Sequence, residues 1–305
     1  MNSQASSSQS KPMIIDGGIG SEIRARGYVL HESAWSALAH VERPDLVMGI
    51  HRDYLAAGAE IVTANTFSLS RHNLEHAGMG DSFVTANAGA VKIARAAVDS
   101  EPDRRALVAG SMSTIPPMDY PDRLETGMRA FENYRDQAQI LADNGADLIA
   151  AEMLLEAESA SALLEAALTV NLPVWAGLSA MLGGGQTIMG FRAPGKYLAV
   201  PETKFSDLVN AVAKFDVSMI AVMHTKIDVI SAALSEIRGT WDGQIAAYAE
   251  TGRSGDSDWF FDTAASPEDY ADIAAQWVDR FELDAVGGCC GTRPAHVAAL
   301  SKRLK

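Results

Sequence analysis

Ala57-Gly58-Ala59-Glu60-Ile61 and, further along, Asn144-Gly145-Ala146-Asp147-Leu148 are the same joint used twice. In each, a helical stretch ends, a glycine stands where a helix C-cap belongs, and a small residue and an acid lead into an apolar run. Working outward, short apolar runs alternate with longer runs of helical period from Pro12 to the end of the chain, which is the pattern of βα units around a parallel sheet. Strands are expected at 13–16, 61–64, 107–109, 148–151, 174–178, 219–222, 245–248 and 285–286. Helices are expected at 45–57, 83–99, 128–144, 157–170, 205–215, 229–237, 267–281 and 294–302. Pro267 and Pro294 suit first-turn positions, with Ser266 as N-cap of the former. Eight such units predict an α/β protein, a single-domain (β/α)8 TIM barrel over residues 12–305 behind a disordered polar lead-in, residues 1–11. A doubly wound open sheet is the competing architecture, but Asp16-Gly17-Gly18-Ile19-Gly20 lacks the full GxGxxG fingerprint of dinucleotide folds.

With 305 residues, 48% hydrophobic and 21% charged, the composition is that of a globular protein able to bury a large core. A formal net charge of −14 gives no electrostatic footprint for nucleic acid and repels an anionic membrane. The apolar runs fall short of the roughly 20 residues a bilayer span needs, and Met1-Asn2-Ser3-Gln4 opens a polar N-terminus without a secretory segment. Small-molecule partners and a cytoplasmic location are therefore expected, with a homo-oligomer as the common quaternary state. The two cysteines, Cys289 and Cys290, are adjacent. Such a pair in a chain without a disulfide framework points to metal binding or reactivity.

Active sites of such barrels lie at the C-terminal ends of the strands. There the expected strands place Asp16 after the first, Glu152 after the fourth, His224 after the sixth and the cysteine pair after the eighth. Gly287-Gly288-Cys289-Cys290-Gly291-Thr292 brackets two thiols with glycines that let the backbone turn sharply. Two thiolates and one imidazole with a fourth position open describe a catalytic zinc site, and buried small apolar cysteines are the alternative. Asp16 and Glu152 each end a very apolar strand, where they either grip a cationic group, serve as acid and base, or accept backbone N–H bonds as structural carboxylates. Thr66 offers a hydroxyl to the same ligand or simply packs, and Trp35 and Tyr248 offer aromatic faces to a cation. His51, His76 and His296 read as packing or surface residues. The loop Leu182-Gly183-Gly184-Gly185-Gln186 is either a substrate cover or a plain connection.

These residues, in this order, resemble the homocysteine S-methyltransferase family, which includes the betaine- and S-methylmethionine-dependent enzymes and the corresponding module of methionine synthase. The resemblance runs from about 14 to 303. It rests on Asp16-Gly17-Gly18, on Ala34-Trp35-Ser36 with Pro44 and His51, on Ala57-Gly58-Ala59 leading to Asn65-Thr66-Phe67, on Gly145-Ala146-Asp147-Leu148 to Glu152, and on the cysteine motif. It implies a TIM barrel that transfers a methyl group from a sulfonium or quaternary ammonium donor to homocysteine, giving methionine. It also implies zinc on Cys289 and Cys290, and an amino-acid grip by Asp16 and Glu152. Two departures stand out. Where the family ends strand six in Gly-Val-Asn-Cys, this chain has Ala221-Val222-Met223-His224, and where Tyr-Pro-Asn-Ser-Gly is usual in strand seven it has Tyr248-Ala249-Glu250-Thr251-Gly252. The expected catalytic and metal set is accordingly His224, Cys289 and Cys290, with Asp16, Glu152 and Thr66 as substrate-binding residues. The loss of the third thiolate leaves two alternatives open: a barrel metalloenzyme of hydrolase or lyase type with Glu152 as base, or a metal-free binding protein that has lost catalysis.

Overall fold

The computed structural model describes residues 11–117, 126–190, 203–254, 259–260 and 265–305, so all but Lys11 of the polar lead-in lies outside the described residues. Eight parallel strands form one sheet: β1 (Met13–Ile14), β2 (Ile61–Thr63), β3 (Leu107–Ser113), β4 (Leu148–Leu154), β5 (Val174–Leu178), β6 (Met219–Lys226), β7 (Gln244–Glu250) and β8 (Ala285–Gly288). Each pairs with the next in chain order from β2 to β8, and β8 pairs back on β1 through Met13↔Ala285 and Ile14↔Val286. The last seam closes through one bridge, Ile15↔Ile61, with Asp16 N–H donating to the Ile61 carbonyl at 3.0 Å. The sheet is therefore a barrel, and the open-sheet alternative falls.

The strands read as nearly continuous apolar runs because both faces are buried. Leu148, Ala150, Trp175, Met219, Ala221, Ala246 and Ala285 point inward and fill the barrel. Their neighbours Ile149, Ala151, Ile220, Val222, Ala247 and Val286 point outward and pack under the helices. That outer ring comprises α1 (Pro44–Ala57), α2 (Phe83–Asp99), α3 (Gly127–Asp143), α4 (Ala157–Ala167), α5 (Phe205–Val212), α6 (Ile227–Arg238), α7 (Pro267–Phe281) and α8 (Pro294–Leu304). The repeated joint behaves as its sequence requires. Gly58 and Gly145 sit at φ 105° and 106°, a region costly for any side chain, and at the first joint the Gly58 and Ala59 N–H groups return to the carbonyls of Leu55 and Tyr54. Helix α7 starts on Pro267, and the Ser266 hydroxyl accepts from the Asp269 N–H at 3.1 Å.

What the sequence pattern leaves out lies in the connections. Short helices Ile19–Ala25, Ala39–Glu42 and Arg71–His76 elaborate the loops after β1 and β2, each too brief to show a helical period. The glycine loop after β5 is the tip of an antiparallel hairpin, Ala180–Leu182 against Ile188–Gly190, with the Gly183 N–H bonded to the Thr187 carbonyl. Among the described residues no helix is long and apolar enough to cross a membrane.

Candidate active site

The strands' C-terminal ends open onto a cavity of about 1040 Å³, its mouth included, lined among others by Asp16, Thr63, Glu152, Met223, His224, Tyr248, Cys289 and Cys290. Strand parity places several of these. On β4, Leu148 and Ala150 face inward, so Glu152 does too, and on β7 Ala246 and Tyr248 put Glu250 on the inner face. His224 is different. Met223 takes the inward place on β6, which by parity sends the next residue out towards the helices. The β6–β7 register shifts between Met223 and Lys226, and His224 adopts φ 43°, so the strand bulges and the imidazole is turned back to the cavity. A second bulge between Ala151 and Leu154 of β4, with Met153 at φ 51°, does the same for Met153.

The cysteine loop is held by backbone bonds. Cys289 N–H donates to the Ala249 carbonyl at 2.9 Å, Thr251 N–H to the Cys290 carbonyl at 2.9 Å, and Gly288 N–H to the Asp16 carbonyl at 2.9 Å. The two sulfurs lie 3.9 Å apart, Cys290 Sγ is 3.7 Å from His224 Nδ1, and the ligand atoms of the three residues all fall within 4.8 Å of one another. Tetrahedral zinc with sulfur at about 2.3 Å and nitrogen at about 2.0 Å has edges of roughly 3.5–3.8 Å, which the spacing of the three residues approaches. The electrostatics agree. Cys289 is the thiol favoured as thiolate, because Cys290 and His224 direct hydrogen bonds at it, and that charge with burial holds the Cys290 thiol above its ordinary value. Bringing both sulfurs to thiolate at once needs a cation, and this donor set suits a soft one.

Asp16 is 1% exposed and accepts from Thr63 twice, from its N–H at 2.7 Å and its hydroxyl at 2.9 Å. Burial nevertheless pushes its carboxyl up to about 7, against the Thr63 bonds and helped by Glu152. Burial likewise raises Glu152 to about 7, although Ser111 and Tyr248 hydroxyls bond to it. Burial alone would lower His224, but Glu250, Cys289 and Glu152 outweigh it and bring the imidazole to about 8. The site is thus two costly carboxyls facing two thiols and an imidazole across one cavity.

Of the residues the sequence singled out, the structure brings Asp16, Glu152, His224, Cys289 and Cys290 together, with Trp35 and Tyr248 on the same wall. It does not bring Thr66: the side chain is fully buried and its hydroxyl donates to the Ser111 carbonyl at 2.7 Å, a tie between β2 and β3, while Asn65 and Phe67 line the cavity instead. The expectation of a substrate contact there is corrected, since the dipeptide either side of Thr66 faces the cavity and Thr66 faces away. His51 and His296 are buried in the packing. Sequence reasoning did not single out Thr63 and Ser111, which bond the two carboxyls, or Glu250, which lies 3.5 Å from the imidazole. The departure at Glu250 was the available signal.

A sequence model described as homocysteine S-methyltransferase matches residues 13–304. Homocysteine S-methyltransferase 2 of Arabidopsis thaliana is 27% identical over 95% of this chain and 92% of its own length. The Escherichia coli K12 homocysteine S-methyltransferase is 27% identical over 95% of this chain and 94% of its own. Among solved structures, the metallated form of the homocysteine methyltransferase MmuM from Escherichia coli superposes with a TM-score of 0.74 at 26% identity, covering 97% of both chains.

Proposed function

The chain belongs to the homocysteine S-methyltransferase family, and on that premise we propose that it transfers a methyl group from a cationic donor to the thiol of homocysteine, giving methionine, at a zinc site made by His224, Cys289 and Cys290. The observation that carries the reading is the convergence of this three-residue donor set with two buried carboxyls, Asp16 and Glu152, on one cavity. Zinc bound there would supply Lewis acidity that keeps the acceptor sulfur as thiolate near neutral pH.

The chain's own residues do the rest by positioning. Asp16 and Glu152, ionised, receive the ammonium group of homocysteine, whose charge offsets the burial that otherwise raises both carboxyls. Thr63 and Ser111 aim those carboxylates, and the Tyr248 hydroxyl, donating to Glu152, fixes the aromatic ring against the same group. The acceptor sulfur attacks the donor methyl carbon in line, a new C–S bond forms, and the electron pair of the broken bond returns to the departing sulfide or amine. A sulfonium or quaternary ammonium donor fits the lining, which among the described residues carries Asp16 and Glu152 but no Lys or Arg, and which offers Trp35 and Phe67 as ring faces. Both cysteines are free, which suits a reducing compartment, the cytoplasm.

Elemental analysis of wild type beside His224→Ala and Cys290→Ala, each assayed for methionine with homocysteine and S-methylmethionine, tests the reading. One zinc per wild-type chain, lost in both variants together with methionine formation, is expected. A metal-free wild type, or donor consumed without methionine, overturns it.

A further inference from the structure

Glu250, at the end of β7, is 3% exposed, and its Oε2 makes no hydrogen bond among the described residues. That oxygen lies 3.5 Å from His224 Nδ1. A carboxylate buried without a compensating partner is among the more expensive things a fold can hold, so its presence asks for a cationic counterpart in contact. The imidazole is the group in contact, and a metal ion on its other nitrogen would supply the positive charge. Glu250 does not join the donor set itself: the group whose ligand atoms lie within 4.8 Å of one another comprises His224, Cys289 and Cys290. The nitrogen it approaches is Nδ1, which also lies 3.7 Å from Cys290 Sγ.

The two places where the sequence departs from the family pattern therefore meet in space. A cysteine is replaced by His224 and an asparagine by Glu250, and the two new side chains touch. A divalent ion on three thiolates carries one net negative charge, and on two thiolates and a neutral imidazole it carries none. A carboxylate against the imidazole returns that negative charge to the site one contact further out. A histidine ligand gives one nitrogen to the metal and its other N–H to an acceptor, which sets the tautomer and the ring's orientation and raises its donor strength; with Nδ1–H given to Glu250, the metal would take Nε2.

Resting on the methyltransferase reading above, we propose that Glu250 is a positioning residue for His224, accepting the imidazole N–H and restoring the charge that the absent third thiolate would have supplied. His224 and Glu250 are then one functional unit and not two independent substitutions.

The test is a double-mutant cycle read by zinc affinity, measured by competition with a chromophoric chelator, and by the visible spectrum of the cobalt(II)-substituted protein. Glu250→Gln is compared in the wild-type background and in His224→Cys, with melting of the metal-free proteins as the check on folding and Glu250→Asn as a second variant. In the wild-type background Glu250→Gln is expected to weaken zinc roughly 10–100-fold and to shift the cobalt bands. In His224→Cys the same change leaves affinity and bands within about threefold, because no imidazole remains to be held. Equal losses in both backgrounds show a general structural role and overturn the proposal, as does unchanged affinity in wild type. If wild type holds no zinc at all, the metal site itself fails and this inference with it. If wild type holds zinc that Cys290→Ala loses and Glu250→Gln keeps, only the role of Glu250 falls.

Discussion

At the scale of single residues the site is a set of compromises between stability and use. Burial raises the Asp16 carboxyl from its ordinary value of 3.8 to about 7 in the fold. A folded value above the unfolded one means stability that is fully present below about pH 4 and is lost as pH rises to about 7, since the native state binds the extra proton through that window. Asp16→Asn removes the penalty. The metal-free variant should melt with wild type near pH 4 but above it at pH 8, by differential scanning calorimetry, and a variant that melts below wild type at pH 8 would mean the carboxylate is structural. The same substitution removes a grip on the substrate. Glu152→Gln, keeping the Ser111 and Tyr248 partners in place, should raise KM for homocysteine about tenfold or more with zinc content unchanged, as expected for a lost charge-assisted bond of roughly 1.5–3 kcal/mol. Equal KM in steady-state assays would remove Glu152 from the binding role. Asp16, Glu152 and the cysteine pair were legible because a charged or reactive residue at the end of an apolar strand has few structural reasons to be there. Thr66 misled because threonine packs and donates equally well, and nothing in the sequence says which way the residue between Asn65 and Phe67 points.

At the scale of elements, the eight strands and eight surrounding helices were legible because burial on both faces and helical period are local signals, and the Gly58 and Gly145 joints mark their ends. The bulges were not. His224 owes its direction to a register shift set by two strands together, and sequence places it at a strand end without saying which face it takes. Nor were the contacts between connections. The loop after β1 passes so close to the loop after β8 that a Cβ on Gly18 would meet the Cys289 carbonyl oxygen at 2.8 Å and its carbonyl carbon at 3.1 Å. Backbone cannot swing aside as a side chain can. Gly18→Ala should therefore displace the cysteine loop, with about 1–3 kcal/mol of destabilisation from overpacking. Zinc binding should weaken more than the loss of Tm alone implies. Normal zinc affinity by chelator competition would show that the loop yields without moving Cys289.

At the scale of the whole molecule, the site is distributed over the barrel and closes it. The sulfurs follow β8, the imidazole ends β6, and Asp16 follows β1 at the seam that a single Ile15↔Ile61 bridge completes. A metal on His224, Cys289 and Cys290 would tie β6 to the β8 loop, and that loop is bonded to Asp16 through the Gly288 N–H. Ion binding to the native state alone adds stability by mass action, roughly 4 kcal/mol at a free concentration 1,000 times Kd. With unfolding entropy proportional to length, that is a shift of roughly 6 °C for a chain of this size. Chelation should lower Tm by about that amount. It should also speed amide exchange first around residues 285–292 and 13–18, ahead of β4 and β5 on the far wall, because the tie and the seam share those segments. A uniform rise in exchange would mean that the ion stabilises the barrel without bracing its seam. An unchanged Tm after complete removal of a bound ion would mean that the β6 and β8 ends are fixed by their backbone bonds alone, and that the donor set is preorganised before any metal arrives.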